Sequence, residues 1–208
     1  MVPERWAAGL LLGLGMASAA AVSVGAEPDR TLPDFETVRS SFRSSETLLL
    51  DRHGEVLHRL RTDFKVRRGA WVALGDTSPA FRMALLLSED RRFHEHSGVD
   101  WWAVSAAAWG NLWHERTRGA STLTMQLAGL LDPALQRPAS TARGLSQKWA
   151  QASAARELET RWRKDQILEA YLNLVPFRGE IVGIDALSHT LFGKSAHALN
   201  APESALAA

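Results

Sequence analysis

The sequence of 208 residues contains no cysteine, which excludes disulfides, thiolate nucleophiles and thiolate metal ligands. It also lacks an excess of charge, because 24 Lys and Arg against 23 Asp and Glu leave a formal net charge of +1. No basic field is therefore present to attract nucleic acid. The chain is 46% hydrophobic and 23% charged, the composition of one ordinary globular domain, although eight tryptophans against one tyrosine is unusual.

The zinc-protease motif H-E-x-x-H is missing as well. His94 and His96 lie two residues apart, on opposite sides of a helix or strand, so we interpret both as structural histidines. Internal repeats are absent, and the only biased composition is an Ala- and Gly-rich N-terminus. These absences leave neither a metal motif nor a repeat architecture as the basis of function.

Residues 6–26 contain no charge and are numerous enough to span a bilayer as a helix. Arg5 precedes this stretch while Glu27 and Asp29 follow it, which favours the N-terminus on the inside. The small residues just before Glu27 also resemble a signal-peptide cleavage site. Three interpretations of residues 1–26 therefore remain open: a membrane anchor, a cleaved signal segment and a buried core helix. In the first two, the rest of the chain is exported.

A linker is predicted over residues 27–45, which are rich in Asp, Arg, Ser and Pro, and a domain over 46–208. Two apolar runs around Asp51 and Gly54 predict a β-hairpin within 47–60. Helical patterns then dominate, so the predicted fold class is mainly α behind a small N-terminal β-hairpin. Capping residues and prolines predict six helices. The first runs from Pro79 to Phe93, the second begins after Asp100, and the third runs from Ser121 or Thr122 to just before Pro133. The others cover 145–162, 165–174 and a stretch that begins at Ala201.

Two short stretches suggest chemistry. Glu89 directly follows the apolar run Met83–Leu87, so we expect a carboxylate partly shielded from water, a setting that suits a general base, although it is equally the polar end of an amphipathic helix. Residues 119–124, G-A-S-T-L-T, place a glycine and hydroxyls at a helix start, which suits an anion such as phosphate. Each signal is weak alone, because charges end many helices and Ser and Thr cap most of them.

In combination the motifs resemble the peptidoglycan glycosyltransferases, the family 51 glycosyltransferases of class A penicillin-binding proteins and their monofunctional relatives. The chain carries E-D-x-x-F-x-x-H-x-G from Glu89, G-x-S-T-L-T-x-Q from Gly119 and R-K-D-Q-I-L-E-A-Y-L-N from Arg163. A glycine-rich segment follows at 177–188. The stretch 191–208, with F-G-K-S and then E-S-A-L-A-A, completes the motifs in the family's order. The resemblance covers about residues 46–208, which we expect to be a C-terminally incomplete domain.

The resemblance implies a lysozyme-like, two-lobed helical fold that polymerises lipid II into β-1,4 glycan strands. Glu89 is implied as the general base, Asp90 as a group that positions its surroundings, and Lys148 as the cation facing the leaving undecaprenyl pyrophosphate. The implied substrate-binding residues are Phe93, His96, Gly119, Ser121, Thr122, Thr124, Gln126, Gln151 and Asn173.

The implied partners are lipid II, the growing glycan strand, the bacterial cytoplasmic membrane and other cell-wall synthesis proteins. The implied location is the inner membrane, with the catalytic domain on the periplasmic side. Two other functions remain open: a lysozyme-like muramidase that cleaves glycan, and a non-catalytic, truncated cell-wall scaffold.

The third motif departs from the family's usual Arg-Lys-x-x-Glu, because this chain has Gln147 and Gln151 at the two outer positions. Met125 and Gln151 resemble the 1C type of class A penicillin-binding protein, and Gly129 stands at a position that is often basic in the family. A neutral amide is a poor ligand for a hard cation, so no cofactor is certain and a divalent cation on the pyrophosphate is doubtful. We expect Lys148 to carry more of the charge, with Arg137 and Arg143 as helpers.

Overall fold

Part of the predicted linker is a helix. The computed structural model describes residues 31–105, 121–136 and 144–208, so the segment predicted as anchor or signal lies outside these ranges. Asp34 accepts a hydrogen bond from the Thr37 amide at 2.7 Å and caps α1, Phe35–Ser41. Phe35 of α1 packs edge-on against Trp162, with ring centroids 5.4 Å apart. The domain core therefore begins before residue 46, within the stretch interpreted as linker.

The predicted hairpin is confirmed. Strand β1, Glu46–Leu50, pairs antiparallel with β2, Val56–Arg61. Asp51 closes the turn, because its side chain accepts hydrogen bonds from two backbone amides, and Gly54 adopts a positive φ of 84°. A second, parallel pair joins β3, Arg67–Arg68, to β4, Ile181–Val182, and was not predicted.

The helix that carries Glu89 begins where predicted and ends earlier than predicted. Helix α2 spans Pro79–Glu89 and is capped by Ser78, which accepts a hydrogen bond from the Phe81 amide. The predicted continuation to Phe93 is wrong because Asp90 leaves the helical conformation, with φ −156° and ψ 75°. This bend lets the Asp90 carboxylate turn inward and bind the start of another helix.

Two of the remaining helices, Pro133–Gln136 and Ile184–Phe192, were not predicted, and the others follow the predicted pattern. Residues 101–105 are helical after Asp100, whose side chain accepts a hydrogen bond from the Ala103 amide at 2.9 Å. Short 3₁₀ turns lie at Leu74–Asp76 and Ala196–Ala198. The other helices are α3 Leu123–Leu131, α4 Pro133–Gln136, α5 Gly144–Arg161, α6 Lys164–Leu174, α7 Ile184–Phe192 and α8 Ala201–Ala207.

Helix α3 lies at the centre of the core, packed against both α5 and α6. Its Leu123 and Leu127 are fully buried together with Leu158 of α5 and Ile167 of α6. The loop that follows α2 is held against α5 at Gly98, where φ is +83° and a Cβ atom would lie 2.7 Å from the Ala155 carbonyl oxygen. Only glycine combines this φ with this approach, so Gly98 fixes the loop over the start of α3.

The described part of the chain is thus mainly helical with a small antiparallel hairpin, as predicted. None of its helices is both long enough and apolar enough to cross a membrane.

Candidate active site

Glu89 occupies the last turn of α2 at the edge of a cleft. It follows the buried residues Phe81 and Leu85 at successive intervals of four, so it continues the inward face of the helix one turn beyond the core. Its side chain is exposed, and its Oε2 accepts a hydrogen bond from Gln126 Nε2 at 3.1 Å. The expectation of a shielded carboxylate is therefore wrong for this conformation.

The reason for the difference is that Leu85 alone of the apolar run Met83–Leu87 is buried. Met83 and Leu87 are 60% and 53% exposed, because the helical repeat directs them away from Phe81 and Leu85. Asp90, not Glu89, is the buried carboxylate at this point, with 7% of its surface exposed.

Asp90 links the loop after α2 to the start of α3. Its Oδ2 accepts a hydrogen bond from the Leu123 amide at 3.0 Å, and His96 Nε2 lies 3.0 and 3.1 Å from its two oxygens. A carboxylate at a helix N-terminus also interacts favourably with the helix dipole. These contacts tie Asp90 and His96 to the start of α3, so His96 Nε2, predicted to bind substrate, is engaged within the protein in this conformation.

The hydroxyls of Thr122 and Thr124 are committed to the protein itself. Thr122 donates to the Gly98 carbonyl at 2.5 Å, accepts from the Met125 amide and caps α3. Thr124 is fully buried and donates to Glu159 Oε1 at 2.7 Å. Both residues therefore build the wall behind the cleft and present no free hydroxyl to a ligand in this conformation.

The wall also contains an ion pair that sequence reasoning did not place at the site. Lys164 Nζ donates to Glu159 Oε1 and to the His96 carbonyl, each at 2.7 Å. The same ammonium group lies 4.3 Å from the centroid of the Phe93 ring, which is 1% exposed. Phe93 is thus a core residue under a cation. No spacing signal identifies the Glu159–Lys164 pair, because it joins the end of α5 to the first residue of α6.

The only tyrosine of the chain, Tyr171, was also missed as a site residue. It is 2% exposed, and its hydroxyl donates to Gln126 Oε1 at 2.8 Å. Burial raises the pKa of the Tyr171 phenol above its ordinary value, and the negative charge of Glu89 raises it further. Tyr171 therefore stays protonated and acts as a hydrogen-bond donor.

The cleft beside Glu89 has a volume of about 460 Å³. Of the predicted substrate-binding residues, Ser121 is exposed at its surface, and Thr122 contributes to its lining. Two arginines that were not predicted, Arg91 and Arg92, line it as well. Arg92 is paired with Glu95 at 2.9 Å, whereas Arg91 is exposed, so Arg91 is a cation available at the cleft.

Lys148 and Gln151 are placed differently from the prediction. Lys148 is exposed on α5 but is not among the residues that line the cleft. Gln151 Nε2 donates to the Leu135 carbonyl at 2.8 Å, and Gln147 Nε2 donates to the same oxygen at 2.8 Å. Gly119, Arg137 and Arg143 lie outside the described residues.

Asn173 was predicted to bind substrate, and the structure instead gives it backbone partners. It is 1% exposed, its Oδ1 accepts from the Val72 amide, and its Nδ2 donates to the carbonyls of Val72 and Glu169, each at 2.8 Å. The two hydrogen bonds to Val72 hold the chain before α2 against α6, and the third lies within α6. Asn173 therefore has no polar atom left to offer to a ligand in this conformation.

A divalent cation does not fit the side chains around this site. Within residues 31–105, 121–136 and 144–208, no group of three or more His, Asp or Glu side chains is arranged to hold a metal ion. The amide of Gln151, at the position where the family usually has an acid, is bonded to a backbone carbonyl. We derive no step through a metal.

An exposed carboxylate, oriented by an amide at an open cleft, is typical of an acid–base active site. The family described as Transglycosylase matches residues 53–208, and the chain belongs to this family. This confirms the resemblance found in the sequence motifs.

Similar proteins include a penicillin-binding protein and biosynthetic peptidoglycan transglycosylases. The chain is 41% identical to Penicillin-binding protein 1C of Escherichia coli (strain K12) over 144 residues, which is 67% of this chain and 18% of that protein. It is 38% identical to a biosynthetic peptidoglycan transglycosylase of Mannheimia succiniciproducens over 146 residues, 70% of this chain and 57% of the relative. A protein of the same name from Rhodospirillum centenum is 41% identical over 138 residues, 66% of this chain and 57% of the relative. The matched region thus spans less than two thirds of each relative.

Proposed function

We propose that this chain is a peptidoglycan glycosyltransferase domain that polymerises lipid II into β-1,4 glycan strands, with Glu89 as the general base. The observation that supports this most strongly is the position of Glu89. It opens the motif shared with the family, stands at the mouth of the cleft and is oriented by Gln126.

The proposed reaction is a single displacement. Glu89 accepts the proton of the acceptor sugar's 4-hydroxyl while that oxygen attacks C1 of the lipid-linked donor. The bond between C1 and the phosphate oxygen breaks, and undecaprenyl pyrophosphate leaves with the electron pair. Attack from the opposite face inverts the α-linked donor to a β-linked product. Glu89 can take this proton on Oε1, for which no partner lies among the described residues, while Oε2 keeps its bond to Gln126.

The negative charge that develops on pyrophosphate requires fixed cations. Arg91 at the cleft and Lys148 on α5 are proposed for this role. Ser121 is proposed to bind the sugar-phosphate part of the substrate, because it combines exposure with a place on the cleft wall. The lysozyme-like, two-lobed arrangement of the family is proposed for the complete domain.

A location at the periplasmic surface of the cytoplasmic membrane is also proposed, where the lipid-linked substrate is found. Large apolar side chains stand exposed at or next to the cleft: Leu87 is 53%, Trp101 is 51% and Trp102 is 73% exposed. Trp149 of α5 adjoins them, with its ring centroid 6.3 Å from that of Trp101. Aromatic and aliphatic groups of this kind suit the interface between water and lipid.

The test is polymerisation of labelled lipid II by the full chain in detergent, compared with the Glu89→Gln variant. Glutamine keeps the size of Glu89 but is a far weaker proton acceptor, so the rate should fall by about 10²-fold or more, the scale of a lost general base. Glu55→Gln, a change to an exposed glutamate beside the hairpin turn, is the matched control and should keep full activity.

Three results would overturn parts of this proposal. Near-normal polymerisation by a folded Glu89→Gln variant would remove Glu89 from the role of base. Release of sugars from preformed glycan, without consumption of lipid II, would identify a muramidase. Binding of lipid II by the unmodified chain without any polymer would identify a scaffold.

A further inference from the structure

The sole tyrosine and a glutamine form a hydrogen-bonded chain that ends on the proposed base. The Tyr171 hydroxyl bonds to Gln126 Oε1 at 2.8 Å, and Gln126 Nε2 bonds to Glu89 Oε2 at 3.1 Å. Tyr171 lies in α6, Gln126 in α3 and Glu89 at the end of α2, so the chain connects three helices. The three side chains are hydrogen-bonded directly to one another, from the Tyr171 hydroxyl through the Gln126 amide to the Glu89 carboxylate.

The direction of these hydrogen bonds follows from their ends. An ionised carboxylate only accepts, so the amide nitrogen of Gln126 must face Glu89. The amide oxygen of Gln126 must then face Tyr171, which requires the phenol to donate. Tyr171 is buried and keeps its proton, as shown above, so it fulfils this requirement.

We propose that Tyr171 is a positioning residue of the proposed glycosyltransferase, which fixes the amide orientation of Gln126 and through it the carboxylate of Glu89. This inference rests on the proposed function, because it assumes that Glu89 is the base. Tyr171 cannot act on substrate directly, since only 2% of its surface is exposed.

Without the phenol, the Gln126 amide oxygen loses its donor, and the contact with Glu89 alone favours one orientation of the amide. The amide can then rotate, and in the rotated state its oxygen faces the carboxylate, where two acceptors repel each other. Glu89 is an exposed side chain at a helix end, and Gln126 is its one hydrogen-bond partner within the described ranges. Its orientation therefore depends on Gln126, and geometry of this kind controls the rate of a proton transfer more than the binding of substrate.

The kinetic test is a double-mutant cycle on lipid II polymerisation. Tyr171→Phe should lower kcat roughly tenfold and leave KM within about twofold, the pattern of a lost interaction that matters in the transition state. Gln126→Ala should lower kcat at least as much, and adding Tyr171→Phe to it should have no further effect, because both changes remove the same orientation. Independent, additive losses would overturn the proposal, as would a change in KM alone.

Ser204→Ala is the matched control. It also removes one hydroxyl from a fully buried position, and the Ser204 hydroxyl has no hydrogen-bond partner among the described residues. Its kcat should equal that of the unmodified chain. An equal loss in Ser204→Ala and Tyr171→Phe would show that any buried hydroxyl deletion disturbs the domain, which would overturn a specific role.

A spectroscopic test requires no substrate. Because the chain has one tyrosine, tyrosine labelled with ¹³C at Cζ gives a single assigned signal in solution NMR. Glu89→Ala should shift this signal in the otherwise unmodified chain and leave it unmoved when Gln126→Ala is already present. A shift that persists without Gln126 would mean that Glu89 acts through space, and the relay would be wrong.

The two tests separate the two claims. If the unmodified chain does not polymerise lipid II while the NMR coupling is present, the proposed function fails and the hydrogen-bonded chain stands. If polymerisation requires Glu89 but Tyr171→Phe retains its kcat, the proposed function stands and the positioning role is wrong.

Discussion

Replacing Lys164 by methionine should destabilise the domain and loosen the loop after α2. Lys164 Nζ neutralises Glu159, whose side chain is 7% exposed, and it also holds the His96 carbonyl. Methionine keeps the length and apolar stem of lysine but brings no charge and no donor. Glu159 would remain in the wall with only the Thr124 hydroxyl as a hydrogen-bond partner among the described residues.

The magnitude follows from the burial of the two charges. Removing one partner of a buried ion pair costs about 3–5 kcal/mol, because the other charge is left without compensation. The Lys164 side chain is 23% exposed, and Thr124 still donates to Glu159, so we expect the lower end of this range, about 3 kcal/mol. For a chain of this size that corresponds to a fall in Tm of roughly 6–12 °C.

Thermal and urea unfolding of the variants measure this effect. Lys65→Met is the control, because Lys65 is exposed, and its change should stay within about 0.5 kcal/mol. Adding Glu159→Gln to Lys164→Met should recover much of the loss, since the unpaired charge is removed while the amide still accepts from Thr124. A loss below about 1 kcal/mol, or a double variant less stable than Lys164→Met, would refute the argument.

Two further predictions concern Asn173, which was expected to bind substrate, and Lys148, which was expected to face the leaving pyrophosphate. Asn173→Ala should lower the free energy of unfolding by roughly 2–4 kcal/mol, because it leaves the Val72 amide and carbonyl without their partner. The KM for lipid II of the folded fraction should stay unchanged. Urea unfolding and polymerisation kinetics check this, and a stable variant with a raised KM would contradict it. Lys148→Ala, a change at an exposed residue, should slow lipid II polymerisation roughly tenfold or more without changing Tm. A chelator should have little effect on the polymerisation rate of the unmodified chain. Strong inhibition by chelator would mean that other groups hold a metal.

Local signals predicted the starts of helices well. Ser78, Asp100 and Thr122 each cap a helix where the sequence indicated one, because capping depends on a side chain and an amide three residues away. The hairpin was predicted for the same reason, since Asp51 and Gly54 determine its turn locally. Motifs also singled out Glu89, Ser121 and Gln126; Glu89 and Ser121 line the cleft, and Gln126 is hydrogen-bonded to Glu89.

Features that depend on distant partners were not predicted. Helix α2 stops at Glu89 because Asp90 binds the Leu123 amide, 33 residues further along the chain. The parallel pairing of β3 with β4 involves two residues from each strand, too few to produce an alternating pattern. The role of Tyr171 depends on α6 packing against α3, and a tyrosine in an apolar helix gives no sign of which residue its hydroxyl will meet.

The glutamines at positions 147 and 151 show how a change of residue type can convert an ionic position into a structural one. Leu135 lies in the last turn of α4, where backbone carbonyls have no partner within the helix. Gln147 and Gln151, one turn apart on α5, both donate to the Leu135 carbonyl and so join the two helices. The Arg and Glu usual at these positions in the family would bring a cation and an anion to the same helix face. In this chain neither charge is present there, so we propose that other cations stabilise the leaving group, namely Arg91 at the cleft and Lys148 on the exposed surface of α5.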